Sequence, residues 1–126
     1  MNERIRPAWV EINKEKAIHN FLEVRRAVGK DVKICAVVKA DSYGMGALKL
    51  SEMYLENGVD MFAVAVISEA LELRQEIKDK DILILGYTPE EFYDDAINNN
   101  LTLTIYNYEL AEKLNEVAKN LNKIAK

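Results

Sequence analysis

Apolar residues recur along this chain in two alternating rhythms. Short, nearly unbroken apolar runs at 34–38, 61–65, 82–85 and 101–105 are separated by stretches where apolar positions return every three or four residues. The runs have strand length and are rich in β-branched residues, which predicts strands buried on both faces. The longer stretches have the period of amphipathic helices. From Lys33 onward the order strand–helix repeats four times. Units spaced by about 20–30 residues, with apolar strands, predict parallel βαβ crossovers with helices covering the sheet, an α/β fold. An open doubly wound sheet and part of a (β/α)8 barrel both fit four such units. No G-x-G-x-x-G follows any of the strands, so dinucleotide binding has no support.

Start and stop signals refine this pattern. After a loose lead-in over 1–7, Trp9-Val10-Glu11-Ile12 alternates at period two, which predicts a half-exposed strand. Asn13 is a suitable N-cap for a helix carrying Ala17, Ile18, Phe21, Leu22 and Val28, and Gly29 ends it. A second helix spans 47–56 and stops at Asn57-Gly58. Ser68 is the expected cap of a third, with Ala70, Leu71, Arg74 and Ile77 on one face. Thr88-Pro89-Glu90-Glu91 combines a Thr cap, a first-turn proline and a glutamate, opening a helix that runs to Asn98-Asn99-Asn100. Asn107 caps the last helix, over 108–121. His19, the sole histidine, has no sequence partner and reads as a helix-surface residue. The Lys/Glu runs read as solvated helix faces. Met53, Met61 and the tyrosines other than Tyr43 read as packing or surface.

One strand stands apart. On it Cys35, Val37 and Lys39 alternate onto one face, and Ile34, Ala36 and Val38 onto the other. A lysine on the inner face of a buried strand is costly unless its charge is paired, moved to water or chemically removed. Lys39 stands where the strand ends, the edge at which active sites collect in α/β proteins. Its amine either snorkels into solvent or forms a Schiff base with a carbonyl cofactor, because desolvation makes a lysine nucleophilic near neutral pH. Tyr43, Gly44 and Gly46 favour the second role. Glycine lets backbone approach a bound group, and a tyrosine hydroxyl can meet a phosphate.

Composition narrows the partners. A length of 126 residues is close to that of a typical single domain, and a formal net charge of −4 argues against nucleic acid or an anionic membrane as partner. The lone Cys35 permits no disulfide framework, which suits a cytoplasmic setting. No secretion signal or apolar run long enough to span a bilayer is present in the sequence. No metal site is indicated.

The run Ala36-Val37-Val38-Lys39-Ala40-Asp41-Ser42-Tyr43-Gly44-Met45-Gly46 resembles the cofactor signature of alanine racemases, A-V-V-K-A-[ND]-[AS]-Y-G-H-G, with Met45 in place of the histidine. Arg6-Pro7-Ala8-Trp9-Val10-Glu11-Ile12 is similar to the family's opening. Gly58-Val59-Asp60-Met61-Phe62-Ala63-Val64-Ala65, Glu69-Ala70-Leu71-Glu72-Leu73-Arg74, Ile82-Leu83-Ile84-Leu85-Gly86 and Leu101-Thr102-Leu103-Thr104-Ile105 are similar to its later units.

The resemblance implies a partial (β/α)8 barrel of about four βα units over 14–126. It implies that 1–13 carries an opening strand that joins a separate β domain elsewhere in the protein. A full barrel needs about 250 residues, so the chain is expected to be the N-terminal part of a longer polypeptide, ending as it approaches a fifth strand. The implied activity is interconversion of L- and D-alanine, supplying peptidoglycan precursor, by a cytoplasmic pyridoxal 5'-phosphate enzyme that is a homodimer. Lys39 would hold the cofactor as a Schiff base and act as one of two bases. Tyr43 would contact the phosphate, and Val37 and Leu85 would lie at the cofactor ring. The opposing tyrosine and the arginines of the family's site match nothing here, so the segment alone is expected to be inactive. The alternatives are a non-enzymatic pyridoxal-phosphate-binding protein or an inert fragment. Binding proteins that share this barrel lack the Tyr-Gly-x-Gly loop and the Trp-bearing opening strand, and both are present here. Methionine cannot make the charged hydrogen bond of the usual histidine, which bears on the choice among small amino acids such as alanine and serine.

Overall fold

The computed structural model describes residues 8–126, so the expected lead-in over 1–7 lies outside the described residues. Helix α1 (Lys14–Val28) begins at Asn13, whose side chain accepts the Lys16 N–H, and stops at Gly29 with φ +80°. Strand β1 (Cys35–Val37) follows, then a short turn α2 (Lys39–Gly44) and helix α3 (Ala47–Glu56). Three more units complete the order: β2 (Met61–Val64) with α4 (Ile67–Glu76), β3 (Asp81–Ile84) with α5 (Tyr93–Asn98), and β4 (Thr102–Leu103) with α6 (Tyr108–Asn120).

The four strands form one parallel sheet in sequential order β1-β2-β3-β4. A doubly wound sheet reverses strand order at a switch point and carries helices on both faces. Here the order never reverses, and the helices cover one face. Phe62, Val64, Ile82, Ile84 and Leu103 on that face are buried and form the core with Ala70, Leu73, Ile77, Tyr93, Ala96 and Leu114 from the helices.

The other face is largely bare. Register aligns Val37 with Ala63, Ala63 with Leu83, and Leu83 with Thr102 across it. Ala63 is buried, Leu83 and Thr102 are half-buried, and Val37 is 53% exposed. The expectation of strands buried on both faces is therefore corrected. Apolar alternation was continuous because both faces are built to be covered, yet this segment supplies helices for one only. Cys35 is exposed for the same reason. Burial of its thiol against neighbouring atoms still pushes its pKa up.

Several local signals differ from expectation. Trp9–Ile12 is not a strand, and Trp9, Val10 and Ile12 are exposed; the Trp9 indole donates to Glu11 Oε1 at 2.7 Å. An isolated strand has no ladder partner to hold it. Ser68 does not cap α4; Glu69 reaches back to the Ala65 and Val66 N–H groups instead. Thr88 is buried and its hydroxyl has no hydrogen-bond partner among the described residues, and the stretch after it opens as a 3-10 turn at Glu90–Phe92 before α5.

Two arginines, one buried and one half-buried, lock the helices to the sheet. Arg74 is only 8% exposed, and its guanidinium donates to the carbonyls of Ile77, Lys78, Lys80, Asn99 and Asn100. It thereby satisfies carbonyls of the segment that leaves α4 and ties that segment to the turn before β4. At the sheet's amino edge Arg25 donates to Asp60 Oδ2 at 2.6 Å and to the carbonyls of Gly29, Val32 and Gly58. Beyond α6, the chain returns to the sheet: the Leu103 N–H donates to the Lys126 carbonyl at 2.9 Å.

Candidate active site

The carboxyl ends of the strands gather the candidate residues. Strand β1 ends at Val37, and Val38 continues the ladder by donating its N–H to Ala63 O at 2.9 Å. Lys39 thus begins the following turn and is not a strand residue. It is half-buried, and among the described residues its amine has no ion pair or hydrogen bond.

The turn after Lys39 is left-handed. Ala40, Asp41, Ser42 and Tyr43 have φ between 51° and 55° with ψ between 38° and 46°. For L-residues this conformation costs about 1–2 kcal/mol each, so four in succession need surroundings that enforce it. The structure supplies them. Ser42 N donates to Val38 O at 3.1 Å, and Gly46 N to Asp41 O at 3.1 Å. The Asp41 carboxylate accepts the Ala47 N–H at 2.7 Å, at the start of α3. Glu69 Oε1 accepts the Ala40 N–H at 2.8 Å from across the β1–β2 boundary. Gly44 and Gly46, both at φ +86°, let the chain leave the turn.

This turn puts Tyr43 far into solvent, 76% exposed, and Met45 is exposed two residues later. Leu85 follows β3, 44% exposed, with its N–H on Val64 O at 2.9 Å. Val37 and Leu85 occupy the bare side of the sheet, on strands separated by β2. The next residue, Gly86, donates to Ala65 O at 3.0 Å, and a Cβ there would stand 2.6 Å from that oxygen. Only glycine lets the β2 and β3 ends approach this closely.

The sequence and its family resemblance named Lys39, Tyr43, Val37 and Leu85 as candidates, but gave Glu69 no role and did not announce the handedness of the turn. Glu69 stands at the third position of α4, where a glutamate commonly reaches back to the helix start. That signal could have found its contacts to Ala65 and Val66; nothing local announces the contact to Ala40. Among the described residues no group of His, Cys, Asp or Glu could hold a metal ion, and no helix is long and apolar enough to cross a membrane.

Comparison with known proteins places this geometry. The family profile "Alanine racemase, N-terminal domain" matches residues 12–126. An alanine racemase of Clostridium tetani is 41% identical over 126 residues, covering all of this chain and 32% of its own. The structure of an alanine racemase of Clostridium difficile 630 aligns with a TM-score of 0.92 at 41% identity, over 98% of this chain and 33% of that one. An alanine racemase of Bacillus anthracis, solved with bound L-Ala-P, aligns with a TM-score of 0.79 at 32% identity, over 90% of this chain and 29% of its own. The chain spans about a third of the length of these relatives. Its four βα units correspond to the N-terminal barrel portion of alanine racemase, and the chain belongs to the alanine racemase N-terminal domain family.

Proposed function

We propose that the polypeptide carrying this segment is an alanine racemase that uses pyridoxal 5'-phosphate, with Lys39 as the covalent attachment point. The observation that carries this reading is the placement of Lys39. Its amine is unpaired among the described residues, stands at the carboxyl edge of a parallel sheet and opens a turn of enforced left-handed backbone. The donor set fits the cofactor: a primary amine for its carbonyl and, four residues on, an exposed phenol for its phosphate. Val37 and Leu85 offer apolar surface on the bare side of the sheet for the ring.

When bound, pyridoxal phosphate provides an electron sink that makes the α-proton of an amino acid acidic. The work of this segment's residues is then narrow. Lys39 would hold the cofactor, and its Nζ would serve as the base on one face of the substrate's α-carbon. Tyr43 would hold the phosphate through its hydroxyl. Racemisation needs a second base on the opposite face, and none of these residues fills that role. We place that base in the remainder of a homodimeric, cytoplasmic protein. There, too, we place the strands that close the barrel begun by 14–126 and a β domain that receives 1–13. The exposed Trp9 and Val10 and the bare sheet face support this division.

The test is formation of D-alanine from L-alanine by the full-length protein supplied with the cofactor. Turnover of alanine supports the assignment; cofactor binding without turnover of any small amino acid would favour a non-enzymatic binding protein.

A further inference from the structure

We infer that Glu69 is a positioning residue for Lys39, holding the left-handed turn that aims its amine. The inference rests on Lys39 being the cofactor attachment point. The Glu69 carboxylate serves two masters with its two oxygens. Oε2 accepts the N–H groups of Ala65 at 2.7 Å and Val66 at 3.3 Å, ordinary service to the start of α4. Oε1 accepts the Ala40 N–H at 2.8 Å, from a segment 29 positions away in sequence. Helix capping accounts for the first oxygen and not for the second.

The Ala40 N–H belongs to the peptide plane that also contains the Lys39 carbonyl. Fixing that plane fixes the backbone on the carboxyl side of the Lys39 Cα. Ala40 is also the first of the four left-handed residues, with φ 52°. The other restraints on the turn, from Val38 and Asp41, lie within the same loop. Among the described residues, Glu69 alone of the side chains that hydrogen-bond the turn ties it to a neighbouring βα unit. A charged acceptor holding a backbone N–H is among the stronger hydrogen bonds available.

The chemistry of the side chain makes this separable from capping. A carboxylate can accept on both oxygens, whereas an amide accepts on one and donates on the other. Glu69→Gln can therefore keep its oxygen on Ala65 and Val66, but it then turns an NH2 toward the Ala40 N–H. As a control, Glu72→Gly weakens α4 at an exposed position that has no hydrogen bond to the turn.

The experiment uses the full-length protein in two forms. In the cofactor-free form, the rate at which an amine-reactive acylating reagent modifies Lys39 is read by mass spectrometry. In the loaded form, the visible absorbance of the bound cofactor and its rate of attachment are recorded. Glu69→Gln is expected to change the Lys39 acylation rate and slow cofactor attachment about tenfold, the equivalent of one hydrogen bond to a charged group, and to alter the absorbance band. Glu72→Gly is expected to lower the melting temperature and leave all three unchanged. If Glu69→Gln matches the wild type, or if Glu72→Gly reproduces its effects, Glu69 only caps α4 and the inference is overturned. Should the wild-type protein take cofactor on another residue, the proposed function fails, while the acylation rates still report whether Glu69 positions Lys39. If Glu69→Gln does not fold, hydrogen exchange of the wild-type Ala40 amide decides: protection supports the inference and free exchange overturns it.

Discussion

Asp60 Oδ2 stands 2.6 Å from the Arg25 guanidinium and also accepts the Ile34 N–H at 2.6 Å, so one carboxylate joins α1 to the starts of β1 and β2. The Ile34 backbone N–H first, and then Arg25, hold the Asp60 pKa below its ordinary value. Lys126, likewise, holds Asp81 down at the start of β3. A carboxylate whose folded-state pKa is depressed contributes stability that is present above the ordinary aspartate range. That contribution is lost as pH falls through the range and down to the folded value.

The full-length protein should therefore lose melting temperature progressively as pH falls through the ordinary aspartate range and below it. Asp60→Asn should melt lower than wild type at neutral pH and show a shallower fall on acidification. Thermal melts across that range check this; parallel pH curves for the two proteins would remove Asp60 from the acid response.

The architecture was legible in the sequence because its signals were redundant. Apolar runs marked four strands, Asn13 and Asn107 marked two helix starts, and both asparagines do accept N–H groups from the first helical turn. Lys39 was legible as a candidate because its neighbours form a dense motif. Two things were not legible. The bare face of Val37 and Leu85 has the same apolar sequence as a covered one, since strand composition reports the environment the strand is built for. The left-handed turn escaped notice because Ala40, Asp41, Ser42 and Tyr43 carry no glycine, and tertiary contacts, Glu69 among them, set their conformation against local preference.

Tyr43 has no hydrogen bond among the described residues and is mostly exposed, so little folding stability depends on its hydroxyl. Tyr43→Phe should therefore leave the melting temperature of the cofactor-free protein nearly unchanged. It should weaken cofactor binding by about 1–3 kcal/mol, the scale of a hydrogen bond to a charged group. Equilibrium titration with the cofactor measures this. Unaltered affinity would remove Tyr43 from the phosphate site.

Residues 1–126 expressed alone should associate and should not racemise alanine. The sheet's second face presents Val37 and Leu85 to solvent, and among the described residues β1 is an edge strand with neither proline nor charge in mid-strand. The edge at β4 is less open than its sequence predicts, because Lys126 accepts the Leu103 N–H there. Association is accordingly expected through β1 and the bare face. Light scattering would show oligomers, and Val37→Lys, which places a charge on that face, should reduce them. A monomer with cofactor-dependent production of D-alanine would refute both the exposed-face and the two-base reasoning.

The identity of the lysine that carries the cofactor is the most direct test. The full-length protein, loaded with pyridoxal phosphate, is reduced with borohydride and digested, and the pyridoxyl adduct is located by mass spectrometry. The account predicts a single stable adduct on Lys39, absent from Lys39→Ala. An adduct on a different lysine, or none in a protein that has taken up cofactor, would contradict it.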